Sequence, residues 1–219
     1  MASGTSDRYI PALGLSALTR FYDPVISLTT REGAFKRRVL QRAGITSGER
    51  VLDLACGTGT LAIGAAREAP AVEVTGVDGD PEMLEKAEAK AASSRAEIRF
   101  DEGLSTELPY PEAAFDVLVS TLFFHHLSTD AKLRSAEEAR RVLRSGGRLV
   151  LADWGKPQDP LMQLAILPVR LTDGFDVTAA NVAGRLPEIL EEAGFQGVSV
   201  SDRFRTPLGT IEVVAATAP

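Results

Sequence analysis

Strand-like and helix-like segments alternate along most of this chain, and the alternation breaks only near the end. "RVLDLA", an apolar run with one acid, reads as a buried strand, and the alanine-rich "TLAIGAAREA" after it as a helix. "AVEVTGVD" is a second strand. "DPEMLEKAEAKAASS" is a helix with visible start chemistry: Asp80 caps it, Pro81 takes its first position, and Glu82 and Lys86 share a face. "EIRFDEG", "AFDVLVSTLFF" and "GRLVLADW" read as strands three to five. Between the last two, "AKLRSAEEARRVLRSGG" reads as a helix stopped by glycines, with Arg140, Arg141 and Arg144 near its negative end. Such alternation needs crossover connections and a mostly parallel sheet with helices on both faces. After the helix "EILEEAGF", two strands, "GVSVSDRF" and "GTIEVVAAT", are separated only by "RTPL". That link is too short for a parallel crossover, so it predicts an antiparallel hairpin. The expected fold is α/β, a seven-stranded mostly parallel sheet closed by this hairpin.

Length allows one domain with a proper core in 219 residues. Within it we expect a helical N-terminal segment at 1–44, a ligand-binding core at 45–154, an insertion at 155–180, and a helix with hairpin at 181–219. Segment 1–44 reads as two helices, one opened by Asp23-Pro24, the other carrying Phe35, Val39 and Leu40 on one face. The insertion holds "PLMQLAILPVRL", apolar almost all round. Both segments are candidate lids. The net charge of -6 argues against nucleic acid as the main partner. The single cysteine, Cys56, rules out an intramolecular disulfide and fits a reducing compartment. No secretory leader or membrane span is expected, which points to the cytoplasm; contact with a membrane surface through the insertion stays open. The oligomeric state is not readable.

Gly57 and Gly59 follow the first strand and let the backbone turn tightly against a ligand. The next helix offers free N–H groups to an anion. The second strand ends in Asp78, which can accept both hydroxyls of a ribose. These features suit a dinucleotide, since "GTGTLA" satisfies the dinucleotide pattern with alanine third. They equally suit S-adenosylmethionine (SAM). Three observations favour SAM. Asp53 would repel a pyrophosphate but attract an ammonium or sulfonium group. The terminal hairpin replaces further parallel units. Little chain remains after strand five for a separate substrate domain.

Four ordered stretches carry a family resemblance. "VLDLACGTGT", "VTGVDGDPEML", "LPYPEAAFDVLVSTLFFHHL" and "EARRVLRSGGRLVLADWGKP" resemble class I SAM-dependent methyltransferases, over roughly residues 45–157. Among these they resemble the ubiquinone/menaquinone biosynthesis C-methyltransferases in particular. The resemblance implies a Rossmann-like fold, SAM as cofactor and S-adenosylhomocysteine as product. It implies that Asp53 orients the SAM amino group, that Gly57 and Gly59, beside Ala55, make room for methionine and ribose, and that Asp78 holds the ribose. It places Gly79 and Met83 near the adenine and Thr121 beside the methionine tail. Where many relatives carry an adenine-binding acid, this chain has Gly103-Leu104-Ser105, leaving Leu104 and Ser105 as the adenine contacts. The chain also reads Asp153-Trp154-Gly155-Lys156-Pro157 where the quinone-type enzymes carry Glu-Phe-Ser-Lys-Pro.

Methyl transfer mainly requires alignment of acceptor, methyl carbon and sulfur. A base is needed only when the acceptor must lose a proton. His125 and His126, the chain's two histidines, sit at the mouth of strand four and are the catalytic candidates. On an extended segment they would point opposite ways. No partner set at metal-ligand spacing accompanies them, so no metal is expected. Tyr9 and Tyr22 lie in the N-terminal lid, and Tyr22, His126 and Trp154 are the substrate-side candidates. The expected acceptor is small and apolar or aromatic, such as a quinone or natural product. Alternatives are a phospholipid or amine N-methyltransferase, an NAD(P)-dependent oxidoreductase, and a SAM-binding protein without transfer activity.

Overall fold

A computed structural model describes residues 32–219. The helix expected at Asp23-Pro24, and Tyr9 and Tyr22, lie outside the described residues. Seven strands form one sheet: β1 (Arg50–Leu54), β2 (Glu73–Asp78), β3 (Ile98–Glu102), β4 (Phe115–Thr121), β5 (Leu143–Trp154), β6 (Gln196–Thr206) and β7 (Gly209–Thr217). Their order is β3-β2-β1-β4-β5-β7-β6. The first five are parallel, whereas β7 runs antiparallel between β5 and β6. The expected sheet and terminal hairpin are therefore both present. A two-residue link, Pro207-Leu208, joins the hairpin strands.

The helices are α1 (Glu32–Ala43), α2 (Thr60–Ala65), α3 (Pro81–Ser94), α4 (Thr129–Val142), α5 (Pro160–Ala165), α6 (Leu167–Asp173), α7 (Phe175–Val182) and α8 (Leu186–Glu192). Asp80 caps α3 as expected, its side chain accepting from the Glu82 N–H at 2.9 Å. The central strands are apolar on both sides because each face is covered. One core joins Leu52, Leu118 and Leu151 to Ala136 and Ala139 of α4 and Leu190 of α8. The other joins Val51, Val117 and Val150 to Phe35 and Val39 of α1, Leu61 of α2 and Trp154.

One boundary differs from the sequence reading. Helix α4 stops at Val142, and strand β5 already begins at Leu143. The glycines expected to end the helix lie within the strand, where the β4–β5 register shifts between Phe115 and Val117. Gly146 takes φ +72° there and donates to the Ala218 carbonyl at 2.9 Å. Arg144 accordingly pairs with Asp116 rather than with the helix end.

Helix α1 is held by apolar burial along Phe35, Val39, Leu40 and Ala43. Its end is tied to β5 by Arg148, which donates to the Ala43 carbonyl at 2.8 Å and pairs with Glu49. Phe35 is fully buried against the sheet. We expect Phe35→Ala to destabilise the fold by about 3–5 kcal/mol, read as a lower urea midpoint. An unchanged midpoint would show that α1 is not packed as described.

Candidate functional site

Strand β1 is flanked by β2 and β4, which are reached in opposite directions, so a crevice opens at its C-terminal end. The backbone is strained on both lips. Ala55, just after β1, has φ +54°, and Leu122, just after β4, has φ +53°. Each costs about 1–3 kcal/mol, the kind of strain that collects at ligand sites. The glycine turn crosses this crevice. Gly59 takes φ +72°, and a Cβ there would stand 3.0 Å from the Ala87 Cβ and 3.1 Å from the Phe100 ring. Glycine is thus required at Gly59 by conformation and by space. At Gly57, φ is +52° but nothing lies within 4 Å of a Cβ, so the requirement is conformational and the space stays open.

Asp78 fastens the turn to β2. Its carboxylate accepts from the Gly57 N–H at 2.8 Å and the Asp80 N–H at 3.0 Å. Burial raises its pKa despite these bonds. Asp53, on the last-but-one position of β1, is 1% exposed. The Ala62 N–H donates to its carboxylate, and Oδ2 has no partner. Burial pushes its pKa up to about 7, against the opposing charge of Lys36 on α1. An unpaired buried carboxylate oxygen is costly unless something supplies a cation or donor.

The remaining candidates are arranged unevenly. Met83 of α3 is buried, Gly79 and Thr121 are half-buried, and Leu104 is exposed. Ser105 hydrogen-bonds Ser135 of α4 at 2.8 Å. That bond occupies one side of the hydroxyl expected to meet a base. Sequence reasoning missed Lys90 of α3, whose ammonium donates to the hydroxyls of Thr58 and Thr60 at 2.9 and 2.8 Å and braces the turn. It also missed Lys36, because the approach of α1 to Asp53 is a tertiary fact. Cys56 is buried, and burial pushes its thiol pKa far up, so it fills space rather than reacting.

The two histidines are not on an extended segment. They form a 3₁₀ turn, Phe124–His126, whose rings lie 4.0 Å apart between centroids. His125 is buried, with its Nδ1 2.6 Å from Asp153 Oδ1 and its Nε2 3.5 Å from Asp173 Oδ2. The His125 main-chain N–H also donates to Asp153, at 3.1 Å. Burial opposes the His125 imidazolium, but the two carboxylates prevail and raise its pKa. Burial and the neighbouring His125 charge lower that of His126. Neither ring is left with the near-neutral pKa expected of a base. Asp173 comes from the far end of α6, which no spacing in the sequence reveals.

Trp154 departs from its substrate-side expectation. It is 4% exposed and packs in the core with Ile166, Val169 and Ile211, leaving no face for an acceptor. The insertion is three short helices, α5 to α7, pinned by several polar contacts. Lys132 donates to the Leu127 carbonyl and, at 2.7 Å, to that of Val177. Asn181 donates to the Trp154 carbonyl at 3.1 Å. Met162, Ile166 and Val169 face inward, whereas Leu161, Leu164 and Leu171 are 61%, 65% and 72% exposed. No helix among the described residues is long and apolar enough to cross a membrane. A separate cavity of about 250 Å³, lined by Glu112, Arg140 and Arg141, opens at the opposite ends of β4 and β5.

The residues present fit SAM. The orphaned Asp53 oxygen suits its ammonium, and the open space at Gly57 admits a ligand close to the backbone. Asp78 retains acceptor capacity beyond its two backbone bonds. Comparison with known proteins agrees. Residues 51–147 match the family described as a methyltransferase domain. A demethylmenaquinone methyltransferase from Deinococcus radiodurans is 39% identical over 137 residues, 63% of this chain and 56% of that protein. One of the same name from Lactobacillus johnsonii is 28% identical over 81% of this chain and 80% of its own length. The chain thus spans about half the length of the first of these relatives. Among solved structures, a SAM-dependent methyltransferase from Aquifex aeolicus has a TM-score of 0.63 at 21% identity, over 97% of this chain and 100% of its own. The [4+2]-cyclase SpnF, at TM-score 0.65 and 21% identity over 85% and 80%, shows that the fold alone does not fix the reaction. Residues 51–147 thus match a methyltransferase-domain family, and over that core, with this fold and this cradle, the chain is similar to the demethylmenaquinone and ubiquinone/menaquinone C-methyltransferases.

Proposed function

We propose that this protein transfers a methyl group from SAM to a small apolar or aromatic acceptor of quinone-like character. The observation that carries this reading is Asp53: a buried carboxylate with one unpartnered oxygen beside a glycine turn. Bound there, SAM supplies a methyl group already activated on a sulfonium. Asp53 would accept from the ammonium and Asp78 from the ribose hydroxyls. Gly57 and Gly59 would let the backbone approach the ligand, and Ala55 and Thr121 would flank the methionine part. Gly79, Met83, Leu104 and Ser105 would line the adenine end. A pyrophosphate beside Asp53 would meet repulsion at low dielectric, which disfavours the oxidoreductase reading.

The chemistry left to the protein is alignment and exclusion of water. His125 and His126 stand at the ends of β4 and β5, the acceptor side in this architecture. The apolar acceptor is supported by the leucines that the insertion presents to solvent, and by the names of the quinone-methylating relatives. The same exposed leucines favour, as a second reading, a phospholipid amine met at a bilayer surface. A cytoplasmic enzyme working against the inner membrane face would satisfy either.

Calorimetry with SAM and with NADH tests the cofactor: we expect submillimolar SAM binding and none of NADH. Asp78→Ala should weaken SAM by about 10–150-fold, the equivalent of a charge-assisted hydrogen bond. Unchanged affinity would remove Asp78 from the site.

The pH dependence follows from Asp53. Its pKa in the ligand-free fold is raised to about 7, and a cation binds only the ionised form. SAM affinity should therefore rise with pH and level off above neutrality. From about pH 7 to about pH 6 it should fall about fivefold as the ionised fraction shrinks. Asp53→Asn should bind weakly at every pH; a wild-type slope in that variant would assign the effect to another group.

For the acceptor, S-adenosylhomocysteine formation should be measured with reduced short-chain naphthoquinones and with dispersed phosphatidylethanolamine. Turnover with the quinols alone supports the first reading. Turnover with the lipid alone replaces it by the second, and none with either removes the proposed acceptor class.

A further inference from the structure

We propose that His125, His126 and Asp173 bind a divalent transition-metal ion, with Asp153 as the outer carboxylate that orients His125. The three side chains each offer a ligand atom, and these atoms all lie within 4.8 Å of one another. Around a tetrahedral ion such as Zn²⁺, ligand atoms stand about 3–3.5 Å apart. His125 Nε2 and Asp173 Oδ2 are already at 3.5 Å. Closing the set requires the His126 ring and the Asp173 carboxylate, both half-buried, to move closer together.

The arrangement around His125 is what a metal ligand requires. Its Nδ1 contacts Asp153 at 2.6 Å, so that in the metal-bound form the ring proton would stay on Nδ1 and Nε2, which faces Asp173, would be the ligand atom. Histidine ligands are regularly held by a carboxylate in this way. Asp153 is itself fixed, accepting the main-chain N–H groups of His125 at 3.1 Å and Trp154 at 2.7 Å. An ion would displace the proton that the carboxylates favour on His125; with both imidazoles then neutral, Asp153 and Asp173 hold two charges that a divalent cation offsets. The nearby Lys132 ammonium donates to two main-chain carbonyls and makes no direct bond to either carboxylate, although its charge reaches Asp153 and His126.

Two imidazoles and one carboxylate leave at least one coordination position open. Imidazole donors favour zinc-like ions over Mg²⁺ or Ca²⁺, which prefer all-oxygen sets. The cluster sits at the C-terminal ends of β4 and β5, with Asp173 delivered by the insertion. An ion there would fasten the insertion to the sheet and offer its open position to an oxygen or nitrogen donor. The competing explanation is an ion pair alone, with His125 protonated between Asp153 and Asp173.

The test uses the full chain, stripped with a chelator and dialysed, and needs neither SAM nor an acceptor. ZnCl₂ is titrated by calorimetry and CoCl₂ by visible absorption, with MgCl₂ as control. The histidines of the chain are both in this cluster and its only cysteine is buried, so an imidazole signal has a single origin. We expect one Zn²⁺ per chain, ligand-field bands with Co²⁺, and no response to Mg²⁺. Asp173→Asn and His126→Asn should each weaken Zn²⁺ at least tenfold. Asp153→Asn should weaken it about 10–100-fold while keeping the stoichiometry. Far-UV circular dichroism confirms that each variant is folded. Should a buried-site variant unfold, Asp173→Asn and the Co²⁺ spectrum decide. Substoichiometric binding, absent Co²⁺ bands, or wild-type affinity in Asp173→Asn would overturn the site and leave the ion pair as the explanation. None of these outcomes bears on SAM binding.

Discussion

Everything at the site depends on where β1 ends. Its parallel neighbours β2 and β4 are reached in opposite directions, so the loops leaving β1 and β4 diverge and expose strand-end backbone. A loop left open in this way needs fastening. The Asp78 carboxylate does so by taking two main-chain N–H groups, Gly57 and Asp80, from the turns after β1 and β2. Ser120 adds a bond across the crevice, donating to the Leu54 carbonyl at 2.8 Å. The strained residues Ala55 and Leu122 are tolerated because pairing on both sides leaves them no other course.

Onto this frame the protein places charge in a dry setting. Asp53 lies where water cannot satisfy it, and the ligand-free fold responds by holding its proton more tightly. A cationic ligand reverses that preference. His125 shows the opposite solution: two carboxylates surround it, and their charge outweighs burial. The crevice and the β4–β5 ends therefore differ in kind. One is short of a positive partner, while the other is rich in partners, of which Asp173 is supplied by an insertion rather than by the sheet.

The sheet was largely legible because its determinants are local. Apolar runs, a capped helix at Asp80 and a link too short for a crossover need no tertiary knowledge. β5 was mis-bounded because Gly146 and Gly147 have two meanings, helix stop or strand irregularity, and only pairing with β4 and Ala218 decides between them. The cradle was readable in Asp53, Gly57, Gly59 and Asp78, which lie on or beside one turn. Lys36, Lys90 and Asp173 were not, since each arrives from a separate element. Trp154, readable as either a stacking residue or a core plug, could not be decided for the same reason: strand-end position suggests access, while the insertion and β7 pack around the ring.

The placement of β7 has a consequence for how the molecule is made. It is synthesised after β6 yet lies inside it, between β5 and β6. Until residues 209–217 leave the ribosome, β5 has a bare edge along its final half, and Trp154 and Ile166 lack the strand they pack against. An emerging chain can thus assemble β1 to β5 and the glycine turn early. The apolar face around Trp154 and Ile166 is therefore completed only when β7 arrives, later than the crevice at the end of β1.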